Sequence, residues 1–218
     1  PDADTAGYDI HDVILRVFDD GDFLEYAELW APNIVTGFAR VDGQPVGVVA
    51  NQPMHMAGTL DTQASEKAAR FVRLCNSFNI PLVFLVDVPG ILPGVEEEKI
   101  GTIRRSGKFI FSYVEAAVPK VTIILRKSYG GAWAVMGSKQ LGADFVFAWP
   151  TARLAVMGAE GAAAIIKRRE IEEAGENGPA IRQAFIQPDH DNAVQTWRHV
   201  ADQLRARIDR LRDWAQRG

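Results

Sequence analysis

Two adjacent glycines, Gly130 and Gly131, stand in "LRKSYGGAWAVM" (residues 125 to 136), after a run of branched apolar residues and before a helix-like stretch. The opening amide hydrogens of such a helix have no intrahelical acceptor. Backed by the helix dipole, they can hold an oxygen on which negative charge develops, and glycine lets that oxygen approach closely. The same pair equally suits a tight strand–helix turn that needs positive φ. Spacing alone leaves both readings open.

Side-chain catalysts are harder to find. His11, His55, His190 and His199 are scattered, and none has a metal-ligand spacing with another His or Cys. "PDHDN" places His190 between two aspartates, which reads as a solvated loop capping the next helix. Neither Ser128 nor Cys75 has a nearby base, and no G-x-S-x-G elbow or P-loop occurs. "EEEK" (96 to 99) reads as a solvated charge run, and "KRR" (167 to 169) as a basic helix end.

The elements that must position the glycines are legible in outline. "DIHDVILRVF" (9 to 18) is a short amphipathic helix. Two β-branched runs around Asp42-Gly43 form a hairpin, since that pair tolerates the positive φ of a tight turn. In "TQASEKAARFVRLCNSF", Ala64, Ala68, Phe71, Val72 and Cys75 share one helical face. "IPLVFLVDVPG" is apolar without alternation, as in a strand covered on both faces of a parallel sheet. The run from Ile80 to Val86 is echoed 38 positions later from Val118 to Ile124. Further strands are expected in "ADFVFAW" (143 to 149) and "ARLAVMG" (152 to 158). These helix–strand units predict an α/β domain over residues 1–175 whose site gathers at the carboxyl ends of the strands. Residues 176–218 read as a helical extension, with Val194, Trp197, Leu204, Ile208 and Leu211 at helical spacing.

Composition narrows the classes. With 218 residues, 47% of them hydrophobic, the chain can build one large core. A net charge of −4 and a pI near 5.6 argue against a nucleic-acid surface. The longest apolar runs are too short to span a bilayer. A lone Cys75 excludes an internal disulfide, and a cytoplasmic setting is the plain expectation. The chain begins with Pro1 and not Met, which suggests a piece of something longer.

Three blocks carry a family resemblance: "NIVTGFARVDGQPVGVVANQP", "SEKAARFVRLCNSFNIPLVFLVDVPGILPG" and "VPKVTIILRKSYGGAWAVMGSKQLGADFVFAWPTARLAVMGAEGA". Together, over roughly residues 30 to 165, they resemble the carboxyltransferase β subunit of biotin-dependent acyl-CoA carboxylases, and within it the C-terminal of two domains. The resemblance implies a crotonase-like fold, a spiral of ββα units. It also implies transfer of a carboxyl group from carboxybiotin, carried on a biotin carboxyl carrier protein, to acetyl- or propionyl-CoA. In that family the biotin itself takes the α-proton, which accounts for the missing acid and base. The protein holds enolate oxygens on preorganised amides. The biotin-side oxyanion hole would fall on Gly130-Gly131-Ala132, with the amides of Gly131 and Ala132 as donors. The acyl-CoA hole would lie in an N-terminal carboxyltransferase domain, and the assembly would be a homo-oligomer working with a biotin carboxylase subunit.

The sequence departs from the family pattern in three places. Trp133 and Ala134 stand where an aromatic residue and a substrate-selectivity residue, Asp in many propionyl-CoA enzymes, are usual. "IGTIRRSGK" has Arg105 where the family often has His. The usual closing block, Asn-Pro-Tyr followed by a strand ending Ile-Glu-Pro, is replaced by a different helix. A carboxybiotin-dependent acyl-CoA decarboxylase would use the same oxyanion hole, and a non-catalytic assembly domain would not need it. A crotonase-type hydratase needs a positioned carboxylate, and no Asp or Glu lies within six residues of Gly131.

Overall fold

The computed structural model describes residues 6–150 and 152–186. Helix α1 (Ile10–Val17) is capped by Asp9, whose carboxylate accepts from the His11 amide. After a two-residue strand β1 (Leu24–Glu25), the expected hairpin forms from β2 (Ile34–Val41) and β3 (Gln44–Asn51). Its turn residues Asp42 and Gly43 have φ of 49° and 75°, the pair of positive values that matches strand twist. Helix α2 (Thr62–Ser77) starts at Asp61, which accepts from the Ala64 amide at 2.8 Å. Its predicted face of Ala64, Ala68, Phe71, Val72 and Cys75 is fully buried.

Strand β4 (Leu82–Val88) is buried at every residue, because β3 and β5 (Lys120–Tyr129) flank it in parallel. Leu82 pairs with Lys120 and Val86 with Ile124, so the 38-residue echo in the sequence is the register of the two strands. One face of the sheet packs on α2 and α4 (Thr102–Glu115), burying Val49, Phe84, Val86 and Ile124 with Phe71 and Phe109. On the other face, Ile10, Ile14 and Phe18 from the α1 segment cover Val48, Val83, Leu85 and Leu125. Burial on both sides is why these strands show no polar–apolar alternation.

Strand β5 is longer than the apolar run 120 to 125 suggests. Its register against β4 moves from Val86↔Ile124 to Val88↔Ser128, so Leu125, Arg126 and Lys127 all stand opposite Asp87. Below this bulge β5 pairs with β6 (Phe145–Ala148), and from Lys127 onwards with β7 (Arg153–Ala155). Bulges raise local twist and re-aim a strand.

"EEEK" is more than a charge run. It forms α3 (Val95–Ile100), and half-buried Glu97 accepts from the Thr62 amide and hydroxyl and from the Thr102 hydroxyl, joining α2, α3 and α4. Lys99 pairs with Glu96 at the surface, as expected.

The chain parts into two compact units between Met157 and Gly158. The second holds α6 (Ala159–Ile166), α7 (Arg168–Glu173) and a helical stretch from 178 to 186. In it, Lys167 and Arg168 form surface pairs with Glu170 and Glu172. His190, His199 and the apolar stripe expected from Asn192 lie outside the described residues. Among the described residues no helix is long and apolar enough to cross a membrane.

Candidate active site

Helix α5 (Gly130–Val135) begins directly where β5 ends, with Tyr129 still in extended conformation. The two glycines stand in different surroundings. Gly130 has φ +59°, and a Cβ there would lie 3.1 Å from the Val156 carbonyl oxygen, so it makes the turn. Gly131 is exposed, and a Cβ there would touch only Ile91 Cδ1 at 3.6 Å. Its side of the turn is therefore open to a ligand atom. Ala132 is fully buried and anchors the helix, its carbonyl accepting from the Met136 amide at 2.9 Å. The Gly131 and Ala132 amides lie in the first turn of α5, where no helical acceptor exists.

Trp133 and Ala134 are both half-buried. Trp133 lines a narrow crevice with Val86, Ile124, Ser128, Met136 and Ser138. The Ser128 and Ser138 hydroxyls are buried and have no hydrogen-bond partner among the described residues. Below them Gly137, at φ +89°, lets its carbonyl approach Thr122, whose hydroxyl donates to it at 2.7 Å. That bond ties the far end of α5 to β5.

A buried polar cluster lies between β4 and β5 shortly before the turn, and sequence reasoning did not single it out. Asp87 is fully buried, and its carboxylate accepts from Arg126 Nε at 2.9 Å and from the Lys127 amide at 3.1 Å. Its own amide donates to Asn51 Oδ1, while Asn51 Nδ2 donates to the Gly58 carbonyl. Arg126 lies over the Tyr8 ring at 5.1 Å and donates to the Ala6 carbonyl. Burial, then the charge of Asp87 and its hydrogen bond, push the Tyr8 phenol well above its ordinary pKa. The available signal was an aspartate inside "FLVDVPG" matched by "RK" at the same depth of the next strand.

Other candidates have structural partners. Arg105, in the position where the family often has His, bonds Glu66 at 2.8 Å and the Ile100 carbonyl. Cys75 sits in the core, where burial pushes its thiol up to about 12. His11 bridges Asp9 and Glu25, both at 2.7 Å, and His55 is exposed.

The Gly130-Gly131-Ala132 turn stands at the carboxyl end of a strand that runs parallel to its neighbour, with Gly131 exposed. Residues 1–214 match the carboxyl transferase domain. The chain belongs to this family. It is 58% identical over 197 residues to the biotin-dependent long chain acyl-coenzyme A carboxylase beta4 subunit of Mycobacterium tuberculosis (strain ATCC 25618 / H37Rv), covering 90% of this chain and 38% of that protein. It is 51% identical over 183 residues to the methylmalonyl-CoA decarboxylase subunit alpha of Propionigenium modestum, covering 84% of this chain and 35% of that one. A crystal structure of transcarboxylase 12S, described as a hexamer assembly with methylmalonyl-coenzyme A bound, superposes with a TM-score of 0.81 at 47% identity. That match covers 96% of this chain and 44% of the other. The carboxyltransferase fold expected from the resemblance, crotonase-like and built on a mixed sheet, is therefore shown. The chain spans between 35% and 44% of the length of these relatives.

Proposed function

We propose that this chain is the biotin-facing, C-terminal half of a carboxyltransferase subunit. It would move a carboxyl group from carboxybiotin, held on a carrier protein, to an acyl-CoA such as acetyl- or propionyl-CoA. The observation that carries the reading is the split between the glycines: Gly130 makes the turn, while Gly131 is exposed and has only Ile91 Cδ1 near the place of a side chain.

The residues fit a neutral ureido carbonyl. Gly131 and Ala132 supply amide donors, and a side chain at 131 would occupy the approach. When bound, carboxybiotin supplies the carboxyl group and, after giving it up, the base for the acyl α-proton. The chain's own part is electrostatic: amides held by the rigid β5–α5 junction meet negative charge without reorganising. Buried Ala132 and the Thr122–Gly137 bond keep them in place. Trp133 and Ala134, next along α5, would border the acyl pocket and influence chain length. The acyl-CoA oxyanion hole is assigned to an N-terminal carboxyltransferase domain, and the working form to a homo-oligomer served by a biotin carboxylase subunit.

A decarboxylase using the same hole is the second reading, favoured by the 51% identity to the Propionigenium modestum subunit. The test is Gly131→Pro in the complete protein, assayed in both directions, with carboxybiotin as the donor to acyl-CoA and free biotin as the acceptor from the carboxylated acyl-CoA. Proline removes an amide in the first helical turn, where it is tolerated. A drop of about 10²–10³ in kcat is expected. A folded variant with normal turnover in both directions would overturn the assignment. Both readings use the same reversible transfer, so they are separated by whether the complete protein works with a biotin carboxylase subunit that charges the carrier.

A further inference from the structure

We propose that Asp87 is a positioning residue for the Gly130-Gly131-Ala132 turn, acting through the bulge in β5; this rests on the oxyanion reading of that turn. The argument begins with the register. On its β4 side, β5 runs in step up to Ile124 and resumes at Ser128, two residues before Gly130. Three residues of β5 thus face one of β4, and the ladder between the strands is interrupted. A backbone amide left unpaired at this depth would be costly.

The Asp87 side chain fills that gap. One carboxylate oxygen takes the Lys127 amide at 3.1 Å, and the other takes Arg126 Nε at 2.9 Å. The Asp87 amide turns to Asn51 Oδ1 on β3. Asp87 is therefore held from β3 while it holds the bulge of β5. The close fit extends to Gly58, where a Cβ would lie 2.7 Å from the Asp87 carbonyl oxygen. On its other side β5 pairs with β7 from the last bulge residue, Lys127 with Arg153 and Tyr129 with Ala155, and the Val156 carbonyl then faces Gly130. The place where β5 resumes pairing thus decides where the Gly131 and Ala132 amides point.

A buried ion pair can also serve charge balance alone, and the experiment must separate the two roles. Replacing a buried pair by apolar residues of similar volume is often neutral for stability. Asp87→Val, combined with Arg126→Met in the complete protein, removes both the charge and the acceptor for Lys127; Asp87→Ser with the same partner removes the charge and draws the remaining oxygen back by one bond from the Lys127 amide. Asp87→Asn with Arg126→Met removes the charge but keeps an amide oxygen able to accept from Lys127. Two quantities are read: kcat and the KM for acyl-CoA, and hydrogen–deuterium exchange of the peptide from residue 128 to 136.

The expected result is a fall of about 10²-fold in kcat for the valine and serine variants, the scale of a small misplacement of catalytic groups. The KM for acyl-CoA stays unchanged, exchange in the peptide rises, and the asparagine variant recovers both. A valine or serine variant with wild-type kcat and exchange would overturn the proposal. So would failure of both to fold, since Asp87 would then support the sheet as a whole. Gly131→Pro in the same protein is the control: if it keeps turnover, the functional reading is at fault, and the exchange data still judge Asp87.

Discussion

The carbonyl oxygen of Val156 stands 3.1 Å from the point a Cβ would occupy on Gly130. The residue after β7 therefore closes on the turn that follows β5, and with the Gly130 φ at +59° this disfavours any side chain there. Gly131, one residue on, has no such wall.

Gly130→Ala and Gly131→Ala should consequently behave in opposite ways. At Gly130 a left-handed alanine costs about 1–2 kcal/mol, with the Val156 contact added. Chemical denaturation should show that loss. At Gly131 the helical conformation accepts alanine, and stability should hold or rise by about 0.4–1 kcal/mol. Its methyl group nevertheless enters the open side of the turn, so turnover should fall while the protein stays folded. Equal destabilisation by both substitutions would contradict the division of roles.

Ala134→Asp addresses substrate choice. If residue 134 borders the acyl pocket, a carboxylate there should change the ratio of kcat/KM for acetyl-, propionyl- and longer acyl-CoA. One methylene in an apolar pocket is worth about 1–3 kcal/mol of discrimination, so shifts of at least tenfold are expected. An unchanged ratio in an active variant would move selectivity elsewhere.

His11 predicts a pH dependence. Burial would lower its pKa, but hydrogen bonds to Glu25 and Asp9 and their charges outweigh that and raise it. Two acceptors at 2.7 Å require both ring nitrogens to donate, hence the imidazolium. A raised folded pKa means that the contribution is fully present below about pH 6.5, the unfolded value, and is lost as pH rises through the folded one. Unfolding free energy measured from pH 6 to 9 should decline across that window in the wild type and be flatter in His11→Gln. Parallel curves would show that the clamp does not stabilise α1.

Cys75 should be inert to alkylation in the folded protein. It is fully buried against Phe71 and Leu82 in the core, with its thiol held up near 12, and the thiolate is the reactive form. Iodoacetamide should label it only after denaturation, followed by mass. Gly47→Ala probes the same wall, because its Cβ would collide with Cys75 Sγ. Overpacking of that kind costs about 1–3 kcal/mol.

Much of this architecture was legible in the chain because it depends on local or repetitive signals. Asp42-Gly43 specifies its turn through backbone preference, and the spacing from Ala64 to Cys75 marks the buried face. The 38-residue echo marked two similar strands, and the structure pairs them with the same offset, Leu82 with Lys120. The blocks around Gly130-Gly131-Ala132 likewise identified the family.

Tertiary structure decided what depends on residues distant in sequence. Whether Gly130 or Gly131 makes the turn rests on Val156, and no local rule places that carbonyl. The extension of β5 to Tyr129 rests on Asp87, whose carboxylate stands in for a missing ladder bond 40 positions away. Arg126 and Lys127 look like the end of an apolar strand until that buried acceptor is present. Glu97 looks solvated until Thr62 and Thr102 come to it. Periodicity records which face of an element is buried; the partner that satisfies a buried polar group is known only once the sheet has brought it there.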